Sequence, residues 1–147
     1  MARGPIRGGT SAMTCSPVYL IDDDEAALES TEFLLTALGI QARSFSDPYA
    51  FLHVVNSLTP GCILTDLRMP TMSGLELHTS LVGRGIDWPV ILMSGHSAIE
   101  TNMGALDQGI FGMLEKPFTR EALVDLLDRA CAVIPAEPAD SERSPPA

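Results

Sequence analysis

The sequence predicts an α/β fold, a doubly wound parallel sheet of five strands in the order 2-1-3-4-5 with helices on both faces. Short apolar runs alternate with longer amphipathic stretches along the chain. The runs are nearly continuous in hydrophobicity, which is typical of parallel strands buried on both faces. Five strand and helix pairs in strict alternation favour right-handed crossovers, with a reversal of strand order between the first and third strands.

Each predicted element has its own signal. The run 18–21 stops at four acidic residues, and the helix after them carries a stripe of leucines and ends at Gly39. Asp47 and Pro48, a polar cap and an early proline, suit the start of a second helix that reaches about residue 58. The predicted strands are residues 18–21, 40–45, 62–66, 89–94 and 111–115, and the later helices are about 75–82, 98–108 (weakened by Gly104) and 119–133.

Composition indicates one folded domain with two tails. Residues 17–134 form the domain, while residues 1–16 and the Pro-rich, acidic residues 135–147 read as flexible tails. Nine Lys and Arg against 19 Asp and Glu give a net charge of −10. This charge repels phosphate backbones and anionic lipid, so we expect no direct nucleic-acid binding by this chain and no membrane association.

The sequence also bears on the cellular location of the protein and on the redox state of its cysteines. No apolar run approaches the ~20 residues of a spanning helix, and no secretory signal is evident, so we expect a cytoplasmic protein. The three cysteines are far apart and odd in number, so we expect reduced thiols.

Polar side chains mark the ends of four predicted strands. In an open α/β sheet, ligands bind beyond the carboxyl ends of the strands. Asp22 and Asp23 follow the first strand, Asp66 ends the third, Ser94 ends the fourth and Lys116 follows the fifth. Carboxylates brought together repel one another, and a hard divalent cation with oxygen ligands, best Mg²⁺, relieves the repulsion. A lysine and a hydroxyl opposite a nucleophilic carboxylate are the parts of a phosphoryl-transfer site.

Four separated motifs carry a resemblance over residues 17–134. They are the pair Asp22-Asp23, residues 65–70 with Gly74 shortly after, Met93-Ser-Gly-His96, and Glu115-Lys-Pro-Phe118. The chain resembles the receiver domain of two-component response regulators, which implies the flavodoxin-like fold of the chemotaxis receivers. It is most similar to the FixJ-like branch, whose receivers often precede a helix-turn-helix output domain.

The resemblance implies a role for each matching residue. Asp66 matches the acceptor of a phosphoryl group from a sensor histidine kinase or a phosphotransfer protein. The remaining matches are Asp23 and Asp66 as Mg²⁺ ligands, Arg68 as a ligand through its backbone carbonyl, Asp22 acting through a water, and Ser94 and Lys116 in contact with the phosphoryl group. Such a domain is a signalling domain and not an enzyme, although it takes part in its own phosphorylation and dephosphorylation.

The implied output is a change in the face formed by helix 4, strand 5 and helix 5, used for partner binding or for a homodimer on phosphorylation. Many receivers have Tyr or Phe three residues before the lysine, where this chain has Met113. That difference leaves the output coupling open. The kinase, the pathway and any further domain are also left open by the sequence.

Alternative functions remain at this stage. A phosphorylation-independent interaction module would share the fold. An aspartyl-phosphate phosphatase typically has a second Asp two residues after its nucleophile, where this chain has Arg68. A flavin carrier needs a Gly/Ser/Thr-rich loop after the first strand, and this chain has acidic residues there.

Overall fold

A five-stranded parallel sheet forms the centre of residues 17–134, the part of the chain that the computed structural model describes. Its strand order is β2-β1-β3-β4-β5, as predicted, so the reversal of order lies between β1 and β3. The strands are β1 (Val18–Ile21), β2 (Ala42–Phe45), β3 (Cys62–Asp66), β4 (Val90–Ser94) and β5 (Gly112–Glu115).

The connections between the strands are helical. They contain α1 (Glu25–Ala37), α2 (Pro48–Val54), α3 (Gly74–Gly83) and α4 (His96–Thr101), and α5 (Arg120–Ala132) follows the last strand. Local caps explain several of the helix starts. Asp47 accepts a hydrogen bond from the backbone of Tyr49, and Thr119 accepts one from Ala122. Ser73 and Glu76 form a reciprocal capping box at the start of α3.

Two predicted helices differ from the observed ones. The second helix was expected to continue to residue 58, but α2 ends at Val54 and a 3₁₀ turn, Val55–Ser57, follows. The fourth was expected to be one helix over 98–108, but α4 ends at Thr101 and a 3₁₀ helix, Met103–Gln108, follows. Gly104 lies in this second segment, where glycine lowers the stability of an α-helix interior.

Both faces of the sheet are covered, as predicted. Side chains of a strand alternate between faces, so Tyr19 and Ile21 belong to one hydrophobic cluster and Val18 and Leu20 to the other. The first cluster includes residues of α2, α3 and α4, and the second includes residues of α1 and α5. Phe51 of α2 is fully buried in the first cluster.

Other expectations have mixed outcomes. Cys62 is a free, buried thiol, and burial raises its pKa to about 12. Cys131 is disulfide-bonded, so the expectation of a reduced thiol is wrong for that residue. Cys15 and both predicted tails lie outside the described residues. Among residues 17–134, none of the helices has the length and apolar character that crossing a bilayer requires.

Candidate functional site

The strand register brings the predicted polar residues to one edge of the sheet. Ile21 of β1 lies opposite Thr65 of β3, so the residues that follow them, Asp22 and Asp66, are level with each other. Ser94 ends β4 opposite Glu115, the last residue of β5. Lys116 comes next, and its N–H donates to the Ser94 carbonyl at 2.7 Å. The site therefore lies where the strand order reverses.

Three carboxylates meet at this edge. Oxygen atoms of Asp22, Asp23 and Asp66 all lie within 4.8 Å of one another. Mg²⁺ holds oxygen ligands at about 2.0–2.1 Å, so oxygens on opposite sides of one ion are ~4 Å apart. The all-oxygen set and its spacing fit a hard divalent cation. Asp22 is buried and Asp23 is exposed, which leaves the cluster open to solvent on one side.

Lys116 faces two of these carboxylates. Its Nζ lies 3.1 Å from Oδ1 of Asp66 and 3.4 Å from Oδ2 of Asp22. The next peptide bond, Lys116–Pro117, is cis. One ammonium group thus bridges the ends of β1 and β3 from the loop after β5.

The electrostatics of the pair follow from burial and charge. Burial raises the pKa of Asp66 above its usual value, and the charges of Asp22 and Asp23 raise it further, while the hydrogen bond and charge of Lys116 oppose the rise. Burial lowers the pKa of Lys116, but its hydrogen bonds and charge interactions with Asp66 and Asp22 outweigh burial and leave that pKa raised. Lys116 is therefore a cation at neutral pH.

The third residue of the acidic run has a different task. Oδ1 of Asp24 accepts hydrogen bonds from the backbone N–H of Ala26 and Ala27, which makes Asp24 the N-cap of α1. Its own N–H donates to Oδ1 of Asp22 at 3.0 Å. Asp24 therefore caps the helix and helps to orient Asp22.

The remaining predicted residues lie nearby. Ser94 is 6% exposed at the end of β4, the strand next to β3. Arg68 is exposed in the loop after β3 and lines an open cavity of about 490 Å³ that Asn102, just after α4, also lines. Met113, at the position often aromatic, is half-buried against the first hydrophobic cluster.

Two residues with no predicted role, Thr65 and Gly74, lie against the main chain of Asp66. Thr65 donates its hydroxyl hydrogen to the Asp66 carbonyl at 3.1 Å. The first residue of α3, Gly74, lies so close that a Cβ there would be 2.7 Å from the same oxygen. Both residues belong to the sequence motif around Asp66, which marks them as candidates for a role at the site. Their contacts with the Asp66 carbonyl oxygen could not be predicted, because they depend on the path of the loop between β3 and α3.

An α/β sheet with an acidic trio faced by one lysine at its switch point has the architecture of a receiver domain. The model of the response regulator receiver domain matches residues 18–128. The chain belongs to this family.

Its relatives are response regulators. The chain is 36% identical over 122 residues to the response regulator protein TmoT of Ectopseudomonas mendocina, covering 83% of this chain and 56% of that protein. It is 43% identical over 108 residues to the transcriptional regulatory protein FixJ of Azorhizobium caulinodans, covering 74% of this chain and 51% of that protein. The crystal structure of FixJ-N superposes with a TM-score of 0.78 at 32% identity, covering 82% of this chain and 97% of that one. The chain spans about half the length of the curated relatives it matches.

Proposed function

We propose that this receiver domain accepts a phosphoryl group on Asp66 from a sensor histidine kinase or a phosphotransfer protein, with Mg²⁺ bound at the acidic cluster. The observation that carries the proposal is the cluster itself, three carboxylates within 4.8 Å of one another with Lys116 in contact with Asp22 and Asp66. In this reading the chain is a signalling domain that takes part in its own modification and does not act as an enzyme on other substrates.

The reaction is the transfer of one phosphoryl group. A carboxylate oxygen of Asp66 forms a bond to phosphorus as the bond from phosphorus to the donor's histidine nitrogen breaks, which gives an acyl phosphate and the free imidazole. A bound Mg²⁺ would supply positive charge to the transferring group. Asp23, Asp66 and the backbone carbonyl of Arg68 would hold the ion directly, and Asp22 would hold it through a water.

Two further side chains act on the phosphoryl oxygens. Lys116 already lies 3.1 Å from Asp66 and supplies a second positive charge there. The hydroxyl of Ser94, at the end of the adjacent strand, donates to one phosphoryl oxygen. The transfer thus depends on positioning of the phosphoryl group and on neutralisation of its charge. Apart from Asp66, no side chain forms a covalent bond in this reaction.

The output surface in this proposal is the face of α4, β5 and α5. Lys116 and Ser94 connect the site to β5 and β4 through the bond between their backbones. Met113, three residues before Lys116, can fill space vacated near this face, because its side chain is flexible and apolar. The modified face then binds a partner or a second copy of the chain.

The test uses a small phosphodonor in place of the unidentified kinase. We expect incubation with acetyl phosphate and Mg²⁺ to add one phosphoryl group by intact mass, and EDTA to prevent the addition. Asp66→Asn removes the acceptor and is expected to abolish the addition. Asp24→Asn is the matched control, since Asn also caps helices and the modification should persist. Modification that survives in Asp66→Asn, or a wild-type chain that stays unmodified, would contradict the proposal.

A further inference from the structure

We propose that Thr65 and Gly74 are positioning residues for Asp66, which fix its main-chain carbonyl and thereby the direction in which its side chain leaves the backbone. The inference rests on the proposed function, since it concerns how the acceptor is held. Neither residue is expected to touch the ion or the phosphoryl group.

Thr65 contacts the carbonyl from within the sheet. The residue is fully buried, and its Oγ1 donates to the Asp66 oxygen at 3.1 Å. A buried hydroxyl needs a hydrogen-bond partner, so this bond also satisfies the only polar group of the side chain. Packing alone would be served as well by valine, which has the same shape.

Gly74, the first residue of α3, lies close to the same oxygen. A Cβ on Gly74 would lie 2.7 Å from the Asp66 carbonyl oxygen and 2.7 Å from Cδ2 of Leu92. The Leu92 side chain could rotate away, but the backbone oxygen could not. Gly74 also closes the loop, because its N–H donates to the carbonyl of Leu67 at 2.9 Å.

Both contacts act at the last residue of β3. The next N–H, that of Leu67, still donates to β4, at the carbonyl of Met93. The peptide plane between Asp66 and Leu67 is therefore held by a bond on each side and by the start of α3. Because the peptide unit is planar, fixing its oxygen fixes the backbone rotation from which the Asp66 side chain projects. Arg68, whose backbone carbonyl is also an expected ligand, lies two residues after Asp66.

Four single variants of the full chain test the inference. Thr65→Val removes the hydroxyl and keeps the shape, and Thr65→Ser keeps the hydroxyl. Gly74→Ala places a Cβ in steric conflict with the Asp66 carbonyl oxygen. Gly83→Ala is its matched control, because Gly83 ends the same helix and a Cβ there meets nothing within 4 Å.

Three measurements are made on each variant: the thermal unfolding midpoint, the Kd for Mg²⁺ by titration calorimetry well below that midpoint, and the rate of modification by acetyl phosphate. Displacement of a reacting group by about 1 Å costs on the order of 100-fold in a positioned reaction. We expect Thr65→Val and Gly74→Ala to weaken Mg²⁺ binding and to slow modification by about tenfold or more. Thr65→Ser and Gly83→Ala should stay close to wild type in both.

A purely structural role gives a different pattern. A lower midpoint with an unchanged Kd for Mg²⁺ and an unchanged rate would overturn the inference. Should Gly74→Ala fail to fold, the comparison of Thr65→Val with Thr65→Ser decides alone. Failure of the proposed function is separate, because it shows as an unmodified wild-type chain, while the Kd for Mg²⁺ still reports whether Thr65 and Gly74 position Asp66.

Discussion

A buried imidazole in helix α3 links stability to pH. His78 is 9% exposed, and its Cε1 lies 3.4 Å from where a Cβ on Gly109 would be. Burial lowers the pKa of His78 below its ordinary value. The unfolded chain, with a pKa of about 6.5 at this residue, therefore binds the proton more readily than the folded one. His78 contributes its full stability above that pH, and the contribution is lost as pH falls toward the lowered pKa of the folded state.

We expect the free energy of unfolding in urea to fall as the pH decreases from about 7 to about 6, and to fall less in His78→Gln. Carboxylates titrate mainly below this interval, so the difference between the two proteins isolates the imidazole. His53→Gln is the control, because His53 is exposed on α2 and the variant should follow the wild type. Equal pH dependence in His78→Gln and wild type would show that the imidazole is not the linked group.

For individual residues, the sequence predicts the position of a side chain in the fold better than it predicts the hydrogen bonds that the side chain forms. Asp22, Asp66 and Lys116 could be placed together because the ends of parallel strands share one edge. The hydrogen bond of Thr65 to the Asp66 carbonyl could not be predicted. It depends on how the chain turns after β3, and the apolar pattern carries no information about that turn.

Phe51 packs helix α2 against the sheet. Phe51 is fully buried, with its centroid 5.2 Å from that of Phe45 and 5.7 Å from that of Tyr19. We expect Phe51→Ala to lower the free energy of unfolding by about 3–5 kcal/mol, from lost burial and the cavity left behind. Phe33→Ala on α1 makes a matched comparison, because Phe33 is 77% exposed and should change stability by about 0.5 kcal/mol or less. Urea unfolding measures both, and similar losses would mean that the ring of Phe51 is not what holds α2.

Elements were predictable where one periodicity dominates and less so where two helical geometries compete. Helix α5 was expected over 119–133 and is observed as Arg120–Ala132 with Thr119 as its cap. The segment 98–108 carries the same apolar signal through both of its halves, yet only the first is α-helical. The free-energy difference between α and 3₁₀ geometry is small, so tertiary packing decides between them. The local hydrophobic pattern carries no information about that packing.

The whole topology was predictable because few alternatives exist. Strict alternation forces parallel strands, right-handed crossovers restrict where each strand can be added, and one reversal gives the order 2-1-3-4-5. The sheet then determines the site, since only β1 and β3 flank the reversal. The fold does not determine in the same way the use of the face of α4, β5 and α5, where Met113 lies at the position that is often aromatic.

The proposed Mg²⁺ site would link the stability of the whole molecule to magnesium. The chain carries a net charge of −10, and three carboxylates lie within 4.8 Å at the site. Lys116 offsets part of the repulsion among them, and without a metal ion the rest remains in the folded state. We therefore expect Mg²⁺ to raise the thermal midpoint, with a gain of about 2.7 kcal/mol when its concentration is 100 times its Kd.

The variant Asp23→Asn separates the effect of carboxylate repulsion from the effect of Mg²⁺ binding. The variant loses one repelling charge and one expected ligand, so it should melt higher than wild type in EDTA and show a much smaller rise with Mg²⁺. Asp24→Asn is the adjacent control: Asn retains the cap of α1, and the rise with Mg²⁺ should be kept. Scanning calorimetry of the three proteins in EDTA and in Mg²⁺ gives both quantities at once. A full Mg²⁺ response in Asp23→Asn would remove Asp23 from the ligand set, and an unchanged midpoint in EDTA would show that the carboxylates do not destabilise the metal-free fold.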